Sequence, residues 1–301
     1  MRTLRDLACV MALSFALFSS TPAMAQRAIL IGVSLFDHLP IRALEGPPND
    51  VTLMNDMLVA LGVPQQNIVK LVDSATPDLL PRRANILRVL GEEARRAKRG
   101  ETVVVYFSSH SAQVPQLIPV AKGGWVEPDG LNEVFLTRDT TLWNAQQQRV
   151  EGAILNDEIG LALSAFTKRG VRLWAIFDTC HAGDMARGST TSSPDAVVWR
   201  GVNAAVLGVA PTAVPLRGER GIRMAHQRNM SASTSLSQAT HEKSHHPLLT
   251  AFYASQPDES SSEEWFHYQR DPTTHAALAQ PRRFGLFTWQ LKVDPRFKTA
   301  V

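Results

Sequence analysis

Between Ala28 and Phe177 short apolar runs alternate with amphipathic ones, and this alternation limits the possible folds more than any other feature of the chain. Ala28-Ile-Leu-Ile-Gly-Val33 reads as a buried strand. A Pro-Pro-Asn-Asp helix start follows, and Met54, Met57, Leu58 and Leu61 then share one helical face. Asn67 to Val72 is a second strand. Leu79 to Ala97 is a second helix with Ile86, Leu87, Leu90 and Ala94 as its apolar stripe, stopped by Gly100. Thr102 to Phe107 is uncharged and rich in β-branched residues, as a strand buried on both faces requires. A third helix, capped by Asn156, carries Leu155, Ile159, Leu163 and Phe166 on one side and ends at Gly170. Val171 to Phe177 is a further buried strand. Such alternation specifies an α/β fold, a mostly parallel central sheet with helices on both faces. The stretch from Gln113 to Gln148 is less regular, with Val134 to Leu136 as a strand of a local hairpin.

The pattern breaks after Gly183. Residues 186–246 are rich in Ser, Thr, Arg and His with little periodicity, and are expected to form a long, disordered insertion in one domain spanning 26–301. Order is expected to return in a strand at Leu248 to Ala254, and a last helix to begin within Phe284 to Leu291. An acidic loop, Asp258 to Glu264, lies between them. At the other end, Arg2 and Arg5 precede an apolar stretch from Leu7 to Phe18, too short to span a bilayer, and Ala23-Met24-Ala25 is a small-x-small cleavage site. Residues 1–25 are therefore expected to be a signal peptide, and the rest an exported, soluble, periplasmic or secreted protein with no membrane partner. A net charge of +3 over 301 residues, without a dense basic block, gives no reason to expect nucleic acid as a partner.

Removing residues 1–25 takes away Cys9 and leaves Cys180 as the single cysteine. A lone thiol makes neither an intramolecular disulfide nor a multi-cysteine metal site, so it is either an inert buried residue or a nucleophile. Its setting, Asp178-Thr-Cys-His-Ala-Gly183 directly after a buried strand, is a polar tight turn and favours the nucleophile. His110 follows the strand end at Phe107 by three residues, and Cys180 follows Phe177 by the same offset. In one parallel sheet both would emerge at the carboxyl edge, where open α/β sheets hold their sites. An imidazole there can take the thiol proton during attack and return it to a leaving amine. The backbone amides of Ser111 and Cys180 are candidate donors to an oxyanion. His181 adjoins the thiol in sequence and is read as structural, and His245 and His246 lie in the insertion. No cofactor or metal site is expected, and the sequence does not decide whether calcium is needed.

Four stretches resemble the caspase-like cysteine peptidases, in particular their bacterial metacaspase-type members. These are the opening strand Ala28 to Val33, the helix entry Leu44-Glu-Gly-Pro-Pro-Asn-Asp50, the histidine motif Tyr106-Phe-Ser-Ser-His110 and the cysteine motif Asp178 to Gly183. Ala254-Ser255 with Asp258-Glu259, and Gly285-Leu-Phe-Thr288, are weaker matches. The resemblance implies a three-layer caspase-like fold, with Cys180 as nucleophile and His110 as general acid and base. It also implies a pocket for Arg or Lys before the scissile bond, lined by Asp50, Ser108 and Asp178. Paired carboxylates suit a guanidinium, which binds them through charge-assisted, bidentate bonds.

The expected partner is a protein or peptide with a basic residue at its cleavage site. Self-processing at Arg200, Arg217, Arg220 or Arg223 is also expected. One departure weighs against activity: Ser111 stands where the family has glycine, and a backbone with φ > 0 there would strain a serine and misplace the oxyanion donor. A catalytically weak or inactive caspase-like module acting in protein–protein interaction is therefore the alternative, and a different Cys–His enzyme acting on a small molecule the third reading.

Overall fold

The computed structural model describes residues 25–116, 127, 130–180, 197–210, 247–255, 261–266, 281–294 and 297. The expected signal peptide, His181, His245, His246, Arg217, Arg220 and Arg223 lie outside these described residues.

Five strands form one parallel sheet: β1 (Ala25–Gly32), β2 (Ile68–Val72), β3 (Thr102–Ser108), β9 (Arg172–Asp178) and β11 (Leu249–Tyr253). Their order is β11-β9-β3-β1-β2. Alternate side chains on each strand feed two separate cores. Ile29, Ile31, Val103, Val105, Phe107, Leu173, Ala175 and Phe177 face α2 (Arg83–Arg96) and α3 (Asn156–Thr167), through Ile86, Val89, Leu90, Ile159, Leu163 and Phe166. Leu30, Val104, Tyr106 and Ile176 face the opposite way, against Val51, Met54 and Leu58 of α1 (Gly46–Ala60) and Phe287 and Leu291 of α4 (Leu286–Val293). Both faces are covered, which is why the strands read as unbroken apolar runs. The result is the expected three-layer α/β architecture.

Smaller antiparallel units sit at the carboxyl edge of this sheet. β4 (Ser111–Pro115), β5 (Leu131–Phe135) and β8 (Ile154–Leu155) form one, and β6 (Trp143–Asn144) with β7 (Arg149–Val150) a hairpin. β10 (Val198–Trp199), β12 (Ser262–Phe266) and β13 (Arg282–Gly285) form another. The hairpin expected around Val134 is thus a three-stranded sheet whose first strand starts immediately after His110. Asn156 does not cap α3. The Glu158 carboxylate accepts the Leu155 N–H at 3.1 Å instead, and the Asn156 amide donates to Glu127 Oε1 at 2.6 Å.

The largest departure concerns the insertion expected over 186–246. Residues 197–210 within it are ordered, with Val202, Leu207 and Val209 buried against Ala112, Val114, Val134 and Leu136. The run Val197-Val-Trp199 is apolar and β-prone, and Arg200 behind it is fully buried. Averaging over the polar composition of the whole segment hid both features.

Candidate active site

β3 and β9 are adjacent, and their register sets the site. Phe107 lies opposite Phe177 and Ser108 opposite Asp178. His110 and Cys180 each follow two residues later, so the equal offsets seen in sequence become equal heights on neighbouring strands. The Ser111 hydroxyl donates to the Cys180 carbonyl and ties the two turns together. Ser111 is not among the described residues with positive φ, of which Gln148 is the one that is not glycine. The strain expected from serine in the glycine position is therefore absent. Ser109, in the other glycine position, is buried and donates to the Leu136 carbonyl at 2.7 Å.

His110 is buried beside the Phe36 ring, 5.2 Å between centroids. Its Nε2 lies 3.1 Å from the Arg42 carbonyl, an acceptor, so that nitrogen carries the proton and Nδ1 holds the lone pair. Nδ1 is buried and has no hydrogen-bond partner. Burial pulls the imidazole down to about 4, against the pull of the Arg200 and Arg42 carbonyls. Burial likewise pushes the Cys180 thiol up to about 12, although the Ser261 and Arg200 backbone favours thiolate. Cys180 Sγ accepts the Ser261 N–H at 2.9 Å and faces the Ser261 carbonyl at 2.8 Å. The resting pair is thus a neutral thiol and a neutral imidazole, with the base ready to take a proton when attack begins.

These two groups set a pH window for stability. An unfolded imidazole binds a proton below about pH 6.5, whereas folded His110 stays neutral down to about 4. The unfolded chain therefore binds more protons across that interval, and stability falls as pH drops through it. The thiol acts at the other end. From about pH 9 to about 12 the unfolded chain loses a proton that folded Cys180 keeps, so stability falls as pH rises. Thermal unfolding midpoints should fall as pH rises above about 9, whereas below about 6.5 the His110 loss is set against Asp50, whose raised carboxyl keeps its proton in the folded chain and favours the fold at low pH, so the His110 part is read against wild type. A His110→Phe variant should lose the acid limb in part, and an unchanged acid limb would remove this assignment.

Asp50, Ser108 and Asp178 converge on one occupant, the guanidinium of Arg200. Its Nη2 is 2.6 Å from Asp50 Oδ2, and its Nη1 is 2.9 Å from Asp178 Oδ1 and 3.0 Å from Ser108 Oγ. All four side chains are fully buried. Burial raises the Asp50 carboxyl, Arg200 opposes that rise and the neighbouring Asp178 adds to it. Arg200 is held well above its usual range, because Asp178 and Asp50 outweigh the burial that would lower it. Two carboxylates this close need a cation between them.

Several parts of the pocket were not legible beforehand. Glu263, from the stretch read as an acidic loop, is a third carboxylate 3.8 Å from Arg200 and accepts the Gly46 N–H at 2.8 Å at the start of α1. Gly285 N–H donates to Asp50 Oδ1 at 2.8 Å, and Thr288 donates its N–H and hydroxyl to Asp178 Oδ2 at 3.1 and 2.5 Å. A Cβ on Gly285 would lie 2.1 Å from Asp178 Oδ2 and 2.6 Å from Arg200 Nη1, and one on Gly46 would lie 2.6 Å from Arg200 Nη2. Both glycines are walls of a slot sized to a guanidinium. Gly46 and the Gly285-to-Thr288 run did lie in recognisable stretches, but only contact with Arg200 reveals their purpose.

A thiol, an imidazole whose buried Nδ1 has no partner, a backbone amide at Ser111 and an acid-lined slot at one sheet edge are groups that thiol-dependent acyl transfer requires. Residues 26–187 match the family model described as metacaspase, peptidase C14 domain, and the chain belongs to that family. Over 160 residues it is 34% identical to Metacaspase-1A of Aspergillus oryzae, covering 52% of this chain and 34% of that protein. It is 30% identical over 161 residues to Metacaspase-1 of Candida albicans, covering 53% of this chain and 34% of that protein. The chain thus spans about a third of the length of these curated relatives. Among solved structures, caspase-1 from Spodoptera frugiperda matches with a TM-score of 0.35 at 11% identity, over 59% of this chain and 60% of that one. The family match holds His110 and Cys180, and ends before Arg200, Glu263, Gly285 and Thr288.

Proposed function

We propose that this chain is an exported cysteine endopeptidase that hydrolyses peptide bonds after arginine or lysine through an acyl-enzyme. The observation that carries the reading is the clasp of Asp50, Asp178 and Ser108 on a guanidinium. A substrate side chain of the same chemistry would take the same bonds. His110 Nδ1 removes the Cys180 proton as Sγ attacks the carbonyl carbon. Charge on the carbonyl oxygen meets the Ser111 N–H. Collapse breaks the C–N bond, and the imidazolium protonates the departing amine. Water, activated by the same imidazole, then hydrolyses the thioester. Export rests on the N-terminal signal pattern alone, and a secreted product beginning at Gln26 would support it.

Selectivity tests the reading. Fluorogenic peptides that differ only in the residue before the scissile bond should be cleaved with kcat/KM at least about 100-fold higher for Arg than for Gln, since a buried charge-assisted pair contributes roughly 3 kcal/mol. Equal rates, or a preference for an acidic residue, would refute it. The alternative of an inactive binding module loses its main support with the ordinary backbone at Ser111, and retains only the buried, protonated thiol.

A further inference from the structure

Two separate segments hold His110, and one side chain joins them. The first is the stretch after β5. The Leu136 N–H donates to the His110 carbonyl at 3.0 Å, and the Ser109 hydroxyl donates back to the Leu136 carbonyl. The second is the connection from β1 to α1, residues 33–45. Its Phe36 ring lies against the imidazole, and its Arg42 carbonyl takes the Nε2 proton. That connection contains no helix or strand, so its shape depends on other bonds. Asp73, next after β2, accepts the Ser34 N–H at 2.6 Å and the Leu35 N–H at 3.2 Å. The Leu44 N–H donates to the Ser34 carbonyl at 3.0 Å and closes the base of the loop. The rest is held by Arg138, two residues beyond Leu136. Its Nε donates to both Asp37 oxygens at 3.1 Å, and its Nη1 to the Asp73 carbonyl at 3.2 Å and to Asp73 Oδ1 at 3.4 Å. The Asp37 N–H donates to the Arg138 carbonyl at 2.9 Å. Asp37 adjoins Phe36, so this cluster connects the backbone support of His110 to the support of its ring.

We propose that Arg138 is a positioning residue for the acyl transfer, clamping residues 34–44 so that the Arg42 carbonyl and the Phe36 ring fix the tautomer and orientation of His110. The catalytic half of this inference rests on the peptidase reading, and the hold on the ring does not. The two neutral forms of an imidazole differ in which nitrogen keeps the proton, and the acceptor beside Nε2 decides between them here. Only the form with a bare Nδ1 can take the Cys180 proton through that atom. When the connection moves away, water reaches the ring, the Nδ1–H form becomes populated, and that fraction of the protein is idle. The side chains of Arg138, Asp37 and Asp73 are 20, 28 and 12% exposed, so solvent weakens the cluster only in part. Arg82 is no substitute, because it reaches Asp37 at 3.5 Å and is half exposed. Leu39 and Leu136 are buried in one apolar cluster, which keeps the connection docked when the ion pair is cut. Arg138 therefore controls alignment more than folding.

The test compares wild type with Arg138→Met, Asp37→Asn and the double variant, by arginyl peptide kinetics and by NMR of labelled histidine. The His110 signals are identified by their loss in His110→Gln. In wild type His110 should be the Nε2–H tautomer and stay neutral down to about 4. In Arg138→Met the Nδ1–H form should appear beside it, and the ring should take its proton closer to about 6.5. For arginyl peptides kcat should fall about 10- to 30-fold while KM stays within about twofold, since misplacing a reacting group slows the chemical step more than binding. The double variant should be no worse than Arg138→Met, and Arg138→Lys, which keeps the charge, should recover part of the loss. An unchanged His110 spectrum in Arg138→Met overturns the inference and leaves the peptidase reading standing. A changed spectrum with unchanged kcat makes the cluster purely structural and also overturns it. A changed spectrum in a protein that shows no Cys180-dependent hydrolysis even as wild type supports the hold on the ring and overturns the peptidase reading. Should Arg138→Met fail to fold, Asp37→Asn, which leaves Arg138 paired with Asp73, gives the same two readouts.

Discussion

Cys180→Ala is expected to lower arginyl peptide hydrolysis by about 10⁴-fold or more while leaving the fold intact. Removing a nucleophile from a covalent mechanism costs rates of that order, with only binding and oxyanion stabilisation remaining. The cavity left by one sulfur is small, and the Ser261 amide and carbonyl around it belong to backbone that other bonds hold in place. Thermal unfolding should therefore shift little. His110→Ala should fall by a comparable factor, and the double variant should be no worse than either single one, because the two groups act as a unit. Activity that survives Cys180→Ala would mean that another residue does the chemistry.

Asp178→Ala is expected to destabilise the protein by about 3 kcal/mol, the cost of breaking a buried charge network and leaving several buried donors without their acceptor. Arg200 would keep Asp50 at 2.6 Å but lose the Asp178 carboxylate at 2.9 Å, and Thr288 and Ser261 would lose their acceptor. The loss should be measured by denaturant unfolding at fixed pH. Adding Arg200→Met should cost less than it does alone, because its bond to Asp178 is already gone, but should not rescue the fold, since Asp50 and Glu263 are then buried without their cation. Strict additivity of the two changes would show that they do not interact. The Asp178→Ala chain should also lose its preference for arginyl over neutral peptides, which a purely structural carboxylate would not control.

Much of this architecture was written in local pattern. The central residues of β1, β3 and β9 (28–32, 102–108 and 173–177) lack charge because both faces are covered, so each strand announced itself within a residue or three of its final bounds. The equal spacing of His110 and Cys180 from Phe107 and Phe177 predicted a shared edge, and the Phe107–Phe177 register accounts for it. The resemblance supplied Asp50, Ser108 and Asp178, and the three do converge. What stayed hidden is what forms between distant segments. Glu263 meets the start of α1 across 217 residues, and Gly285 meets Asp50 across 235. No periodicity encodes such pairs. Segment 197–210 was hidden for another reason: its strand signal is only the short run Val197 to Trp199 within a polar stretch, and the segment also docks onto β12 and β4.

On the proposed mechanism, Cys180 attacks the carbonyl of a basic residue seated between Asp50 and Asp178. The most direct measurement is covalent trapping. The protein is incubated with a peptidyl-arginyl chloromethyl ketone, then digested and mapped by mass spectrometry, with labelling rates compared against the glutamyl analogue. A single adduct on Cys180 is expected, formed at least about 100-fold faster with arginine than with glutamate and lost in His110→Ala. A label that forms no faster than on a free cysteine, or at the same rate with either side chain, would contradict it.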